Sequence, residues 1–173
     1  GEVGWFAPTY RYLADPWREI EKILAPVIAK TDRVEKRLDL ISGGCLDFWS
    51  LDNTDAGRGR RYDRIVIDEA GIVRDLGPAW QETLRATLAD RQGDAWFLGT
   101  PKGRSFFHRC FERGQIGDGG WKSWRLPTTD NPTIPPEEIE AARAELPAQI
   151  FEQEFLGIPS DDGGNPFGLD SIS

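Results

Sequence analysis

The stretch "RIVIDEAG", residues 64–71, is the most informative part of this sequence for its fold. The three β-branched residues at 65–67 predict a short buried strand. Two carboxylates, Asp68 and Glu69, follow that strand directly. Neighbouring like charges repel each other, and a bound cation would offset that repulsion. The stretch therefore indicates either an exposed acidic turn or a cation-dependent site at the end of a buried strand.

Strands and helices alternate on both sides of this stretch. Further strands are predicted at 3–7, 37–41, 46–51, 95–99 and 121–126, and those at 37–41 and 46–51 form a β-hairpin. Helices are predicted from Asp15-Pro16 to a kink or end at Pro26, at 78–90, at 105–113, and twice between Pro135 and Gly157. This alternation predicts an α/β fold with a mostly parallel sheet, in which ligands bind beyond the carboxyl ends of the strands.

The composition limits the classes of protein to consider. The chain has 173 residues, of which 39% are hydrophobic and 11% aromatic, as expected for a folded domain. No apolar run approaches the ~20 residues that cross a membrane. Two cysteines and one histidine form neither a disulfide framework nor a His-rich metal site. A net charge of −8 argues against a surface coated with nucleic acid, although local basic strips at 58–64 and 102–109 remain, either as binding strips or as solvated faces.

The acidic pair has the pattern of a Walker B strand. In such a pattern the first carboxylate, Asp68, orients Mg²⁺ through its water shell. The second, Glu69, orients or deprotonates the water that attacks the γ-phosphate of a nucleotide. Downstream, "FLGTPKG" (97–103) places the small polar residue Thr100 at another strand tip, where a nucleotide-driven motor senses the γ-phosphate.

The ordered set of motifs resembles the ATPase domain of the large terminase subunit of tailed double-stranded DNA phages. The stretch "GWFAPTYR" (4–11) is similar to the strand after that family's phosphate-binding helix, and "RGRRYDRIVIDEAG" (58–71) to its Arg-Gly segment and Walker B strand. The stretch 97–103 is similar to its coupling motif, and "DNPTIPPEEIEAARAELPAQIFEQEFLG" (130–157) to its helical lid. The resemblance covers roughly residues 3–157 and implies a RecA-like P-loop NTPase (ASCE) core with a β-hairpin insertion and a small C-terminal helical lid.

The resemblance also implies site residues and cofactors. Asp68 would bind Mg²⁺ and the nucleotide ATP, Glu69 would be the catalytic carboxylate, and Thr100 would couple hydrolysis to movement. Arg58 lies at the Arg-Gly position, where similar motors present an arginine finger to a neighbouring subunit, and Arg60 and Arg61 remain alternatives for that role. An arginine suits it because its planar, permanently charged fork binds phosphate oxygens bidentately. Candidate contacts to DNA are Lys102, Arg104 and Arg109.

The implied partners are those of a packaging motor. They are double-stranded DNA, a portal protein, a small terminase subunit and further copies of the chain in a homo-oligomeric ring, in the cytoplasm of a bacterial host and without a membrane. Two other functions remain open: a helicase-like ATPase fragment, and a non-catalytic module that docks on the portal or on terminase subunits.

One required motif is missing from the chain. The family pattern has an upstream Gly-x-x-x-x-Gly-Lys-Ser/Thr loop that binds the phosphates. The stretch "GQIGDGGWKS" (114–123) does not replace it, because Trp121 interrupts it and it follows the Walker B strand. We therefore expect a partial ATPase core at 1–134, a helical lid at 135–158 and a linker at 159–173 towards an absent nuclease domain. We also expect the isolated chain to bind ATP weakly or not at all, with no useful turnover.

Overall fold

The computed structural model describes residues 1–160, and the predicted linker lies outside the described residues from 161 onward. The chain divides into two compact units, one at 1–99 and one that begins at Thr100. The first unit contains a six-stranded sheet in the order β2-β3-β4-β1-β5-β6. Its strands are β1 (Glu2–Ala7), β2 (Ile28–Asp32), β3 (Arg37–Leu40), β4 (Cys45–Ser50), β5 (Arg64–Ile67) and β6 (Asp94–Phe97).

The sheet is mixed but mostly parallel. Strands β4, β1, β5 and β6 are parallel neighbours, whereas β2 pairs with β3, and β3 with β4, in antiparallel fashion. The predicted α/β class and the predicted hairpin are confirmed. The acidic stretch "RIVIDEAG" supplies a central strand, since β5 lies between β1 and β6.

One face of the sheet packs against helix α1 (Tyr10–Leu24). Its Trp17 contacts Phe48 of β4 edge-to-face with ring centroids 5.0 Å apart, and both side chains are buried. Phe48 lies in register with Trp5 of β1, so Trp5 and Ala7 belong to this face. Burial of these apolar side chains is the main stabilising term on this side of the sheet.

The opposite face packs against a second helical segment. This segment comprises α2 (Leu76–Ala79), a π-helical turn (Trp80–Leu84) and α3 (Arg85–Thr87). Trp80 contacts Phe97 of β6 with ring centroids 5.1 Å apart. Phe97 lies in register with Ile67, and Ile67 with Phe6, so these three side chains share the face that α1 does not cover.

Two details near the amino terminus differ from the sequence prediction. Helix α1 begins at Tyr10, not at Asp15, and includes Pro16, because Leu13 and Trp17 four residues apart bury one continuous apolar stripe that outweighs the single backbone hydrogen bond lost at proline. Pro26 ends the helix as predicted, within a 3₁₀ turn at Ala25–Val27. Strand β2 follows at once and was not predicted, since its antiparallel pairing with β3 is a tertiary interaction.

The second unit, described up to residue 160, is helical. Helix α4 (Phe106–Ile116) begins after Ser105, whose hydroxyl accepts the His108 N–H at 3.3 Å. The two predicted helices of the tail are α5 (Pro136–Glu145) and α6 (Ala148–Leu156), and Gly157 ends α6 in a left-handed conformation. None of the helices described up to residue 160 is long and apolar enough to cross a bilayer.

The predicted strand at 121–126 is wrong, because this segment is irregular. Its Ser123 lies against the end of α4: the hydroxyl donates to the carbonyl of Phe111 at 2.8 Å, and the Gln115 side-chain amide donates to the Ser123 carbonyl at 3.2 Å. A Cβ atom at Gly114 would lie 2.5 Å from the Ser123 nitrogen. Contacts with the helix thus replace a strand ladder here.

Candidate active site

The parallel strands of the first unit end at one edge of the sheet. Backbone N–H groups just past three strand tips donate to carbonyls of neighbouring strands: Leu51 to Ala7 at 2.8 Å, Asp68 to Phe6 at 2.8 Å and Leu98 to Ile67 at 2.9 Å. These bonds hold the ends of β4, β1, β5 and β6 level with one another. The edge is where parallel α/β sheets bind ligands, and it includes the acidic pair.

Asp68 is half-buried directly after β5. Its Oδ1 accepts the backbone N–H of Glu69 at 3.0 Å. Loss of solvent raises the pKa of the Asp68 carboxyl above its ordinary value, and the hydrogen bond from Glu69 opposes that shift only in part. The folded protein therefore stabilises the charged carboxylate of Asp68 less well than water does, and a bound divalent cation would stabilise it.

Glu69 adopts a left-handed backbone conformation, with φ 49° and ψ 39°. Such a conformation costs a non-glycine residue about 1–2 kcal/mol. The next residue is fixed from the other side, since the Ala70 N–H donates to the Leu98 carbonyl at 2.7 Å. The acidic turn is thus bonded to β1 through Asp68 and to the end of β6 through Ala70, and these bonds hold Glu69 in its unfavourable conformation.

Gly99 makes that attachment possible. Its φ is 147°, a conformation that side chains disfavour, and a Cβ atom there would lie 3.0 Å from the Ala70 nitrogen and 3.2 Å from the Glu69 Cα. Position 99 in the stretch "FLGTPKG" therefore requires glycine, because the backbone there lies close to the acidic turn. The two motifs that the sequence analysis paired are in contact through their backbones.

The carboxylates fit a metal ion that arrives with a nucleotide. Within residues 1–160, no three histidine, cysteine, aspartate or glutamate side chains form a group that could hold a metal ion. Asp68 and Glu69 offer two carboxylates at one strand tip. Mg²⁺ is usually bound by one or two carboxylates together with substrate phosphates and water, so this donor set fits Mg²⁺ with a nucleotide better than a resident metal.

Arg58 lies in the loop between β4 and β5, residues 51–63, which we call the arginine loop. Its Nε donates to Asp55 Oδ1 at 2.9 Å, and its Nη2 donates to the Thr83 hydroxyl at 3.3 Å. The Arg58 side chain remains 59% exposed. It is therefore oriented by two neighbours and still accessible to another molecule.

The other two arginines of the loop have different surroundings. Arg60 Nε lies 3.7 Å from the buried carboxylate of Asp47, and its guanidinium lies over the Trp49 ring at 5.8 Å. Arg61 forms an exposed ion pair with Asp90 at 3.0 Å. Arg60 is thus paired with a buried carboxylate, whereas the ion pair of Arg61 with Asp90 is exposed and screened by solvent.

The remaining candidates belong to the second unit. Thr100 is its half-buried first residue and follows Gly99 along the chain. Lys102 forms an ion pair with Glu154, and the Arg109 guanidinium lies over the Phe106 ring at 5.5 Å. Arg104 is exposed. Lys102 would have to exchange Glu154 for phosphate in order to contact DNA.

Asp47 was not predicted as a site residue, although it is 1% exposed and bonded to the fully buried Tyr62. The period-2 pattern of the stretch 46–51 was the available signal, because it places Asp47 on the same face as the apolar Trp49 and Leu51. A polar residue at an inward position of a strand predicts a buried partner.

Sequence comparison relates the chain to phage proteins. No protein-family profile matches it. The large terminase subunit of Escherichia phage T5 is 30% identical over 154 residues, which are 86% of this chain and 35% of that protein. The large terminase subunit of Thermus phage G20c is 35% identical over 68 residues, which are 39% of this chain and 14% of that protein. The chain thus spans about a third of the length of its T5 relative.

Structure comparison identifies the fold. The ATPase domain of the Thermus phage P74-26 large terminase superposes with a TM-score of 0.76 and 22% identity, over 91% of this chain and 76% of that domain. The large terminase of a thermophilic bacteriophage, solved in complex with ADP, gives a TM-score of 0.72 and 14% identity over 91% of this chain and 40% of that protein. The chain has the RecA-like fold of the large terminase ATPase domain, which confirms the predicted fold class.

The conformation of Glu69 can be tested by comparing two replacements. Glu69→Gly should be more stable than Glu69→Ala by about 1 kcal/mol, because glycine accepts the left-handed conformation without steric cost. The measurement is urea unfolding of both variants. Exposed Glu19 in the middle of α1 is the matched control, and there the alanine variant should be the more stable. The same order at both positions would contradict a strained Glu69.

The buried charge of Asp68 predicts a pH dependence. Because the folded-state pKa of Asp68 is raised, the folded protein loses stability as pH rises from the ordinary value of 3.8 through the raised value. Asp68→Asn should therefore unfold at higher urea concentration than the wild type at pH 7, with a smaller difference near pH 4. Asp90→Asn, at an exposed carboxylate paired with Arg61, is the control and should not stabilise the protein. An Asp68→Asn effect independent of pH would refute the assignment.

Proposed function

We propose that this chain, a homologue of phage large terminase subunits, supplies part of the ATP-hydrolysing centre of a motor that moves double-stranded DNA into procapsids. The observation that carries the proposal is the acidic turn after β5, where Asp68 and a conformationally strained Glu69 stand at the ligand-binding edge of a RecA-like sheet. The chain spans 35% of its T5 relative. The proposal therefore also covers the movement of DNA by the complete motor protein.

Asp68 and Glu69 have separate roles in this proposal. Asp68 would hold Mg²⁺ together with the nucleotide, and the cation would stabilise its desolvated carboxylate. Bound Mg²⁺ would neutralise charge on the phosphates during transfer. Glu69 orients or deprotonates the attacking water, and the hydrogen bonds of Asp68 and Ala70 hold its backbone at the strand tip. ADP bound to the terminase of the thermophilic bacteriophage supports a nucleotide of this class.

Arg58 is our candidate for the arginine that contacts a nucleotide on a neighbouring subunit. Its exposure, with Asp55 and Thr83 orienting it, supports this role. Arg60 is a poorer candidate because its partner Asp47 is buried. Moving Arg60 away would remove one of the two cations that offset the buried charge of Asp47, so Arg60 is expected to stay where it is.

The rest of the proposal follows the family. Thr100 couples hydrolysis to movement, and Lys102, Arg104 and Arg109 contact the DNA backbone with a strong dependence on salt. Residues 1–134 belong to the ATPase core and 135–158 to a helical lid, with 159–173 as a linker. The partners are a homo-oligomeric ring, a portal protein and a small terminase subunit in the host cytoplasm.

Mixed subunits test the roles of Glu69 and Arg58 together. In the complete gene product, Glu69→Gln should abolish ATP hydrolysis with nucleotide binding retained, and Arg58→Ala should lower kcat by about 10³-fold or more. Mixing the two variants should restore part of the activity, because a subunit with Glu69 then meets a neighbour with Arg58. Steady-state phosphate release from each variant and from the mixture measures this.

Arg33→Ala serves as the matched control, since Arg33 is an exposed arginine outside the arginine loop that pairs with Glu21. Its kcat should stay within about twofold of the wild type. Hydrolysis by Glu69→Gln at the wild-type rate would remove Glu69 from its role. No recovery in the mixture would show that Arg58 does not act on a neighbouring subunit.

A further inference from the structure

Asp47 of β4 is a buried carboxylate that the proposed hydrolysis does not use. It is 1% exposed, and its two oxygens have different partners. Oδ1 accepts from Arg37 Nη1 at 3.2 Å. Oδ2 accepts the Tyr62 hydroxyl at 2.9 Å and lies 3.7 Å from Arg60 Nε. A buried charge persists only when such partners compensate its desolvation, so this cluster is specifically built.

Tyr62 is the second member of the cluster and lies near the end of the arginine loop, two residues before β5. It is fully buried, its hydroxyl accepts the Trp49 indole N–H at 2.9 Å, and its backbone N–H donates to the Thr87 carbonyl at 2.8 Å. Burial and the neighbouring Asp47 charge raise the pKa of the Tyr62 hydroxyl, which keeps it a hydrogen-bond donor. The cluster thereby fixes the carboxyl-terminal end of the loop.

The arginine loop also packs closely against the sheet at Gly57, the residue before Arg58. Gly57 is buried with φ 77°, and a Cβ atom there would lie 2.9 Å from the Phe6 ring. Arg60 and Tyr62, two and four residues after Arg58, both bind Asp47. The exposed guanidinium of Arg58 therefore extends from a segment whose backbone is anchored in the interior on its carboxyl-terminal side.

We propose that Asp47 is a positioning residue, which holds the arginine loop through Tyr62 and Arg60 so that Arg58 stands in a fixed place for a neighbouring nucleotide. This inference rests on the function proposed above for Arg58. A phosphate-binding arginine needs such support, because displacement of a reacting or binding group by about 1 Å can cost about 100-fold in rate. A carboxylate suits the task because its two oxygens accept from several donors at once.

Hydrogen exchange tests the anchoring directly in the 173-residue chain. Asp47→Asn keeps the shape of the side chain but replaces one acceptor oxygen with a donor. The backbone amides of Arg58 and Arg60, which donate to Asp55 at 2.9 Å and Gly57 at 3.0 Å, should exchange at least about tenfold faster in this variant. The Asp68 amide, bonded to β1, should keep its protection.

The matched control is Asp39→Asn on β3. Asp39 binds the same Arg37 that contacts Asp47, at 2.8 Å, but it is not bonded to Tyr62 or Arg60 in the part of the chain that the structure describes. In the Asp39→Asn variant, the backbone amides of the arginine loop should exchange at the wild-type rate. The proposal would be overturned if amide exchange in the arginine loop were equally faster in both variants, or if every amide including that of Asp68 exchanged faster. Either result would show that Asp47 contributes only to the general stability of the fold.

Kinetics of the complete gene product tests the consequence. Asp47→Asn and Tyr62→Phe should lower kcat by about 10- to 100-fold while KM changes little, because the anchoring affects Arg58 and not nucleotide binding. Asp39→Asn should stay within about twofold in both constants. An unchanged kcat in a variant whose loop exchanges faster would overturn the proposal. Unchanged turnover in Arg58→Ala would instead contradict the proposed function, and so the two failures are distinguishable.

Discussion

The candidate site depends on the backbone contact between Gly99 and the acidic turn after β5. No side chain fits at position 99 without meeting the backbone of Glu69 and Ala70. The hydrogen bond from Ala70 to Leu98 and that from Asp68 to Phe6 then hold the turn between two strands. Glu69 is thereby held in an unfavourable left-handed conformation, and the hydrogen bonds to the sheet offset the free-energy cost of that conformation. Two sequence motifs that lie far apart in the chain therefore form one structural unit.

The arginine loop shows how the local surroundings separate similar residues. The chain is acidic overall, and each arginine of the stretch 58–64 has an aspartate partner: Arg58 with Asp55, Arg60 with Asp47, Arg61 with Asp90 and Arg64 with Asp94. These arginines form a set of individual ion pairs and not an open basic strip. What distinguishes them is the burial of the partner: Arg60 pairs with a buried carboxylate, whereas the partner of the accessible Arg58 is exposed.

Local patterns in the sequence predicted the parts of the fold that depend on short-range order. The β-branched run at 65–67 and the near alternation at 37–41 and 46–51 are local signals, and all three stretches contain strands. Strand β2 has no such signal and exists because β3 pairs with it. The segment 121–126 was also predicted as a strand, yet it is irregular and its Ser123 hydrogen-bonds to α4 instead.

The same division applies to the site. The placement of Asp68 and Glu69 at a strand tip followed from the sequence alone, because the strand and the charges are adjacent. The left-handed conformation of Glu69 could not be predicted, since Gly99 and Leu98 impose it from a distant part of the chain. The buried pair of Asp47 and Tyr62 joins residues fifteen positions apart and becomes visible only when the loop folds over the sheet.

The most direct test of the central claim is paramagnetic broadening by Mn²⁺ used in place of Mg²⁺, since both ions prefer oxygen ligands. The complete gene product, labelled with ¹⁵N, would be titrated with Mn²⁺ alone and then with Mn²⁺ and ATP. We predict that the amide signals of Asp68, Glu69 and Ala70 broaden only when ATP is present, because two carboxylates need phosphate oxygens to complete the metal site. Unchanged signals at these three residues, with broadening elsewhere, would contradict a metal-nucleotide site at the acidic turn.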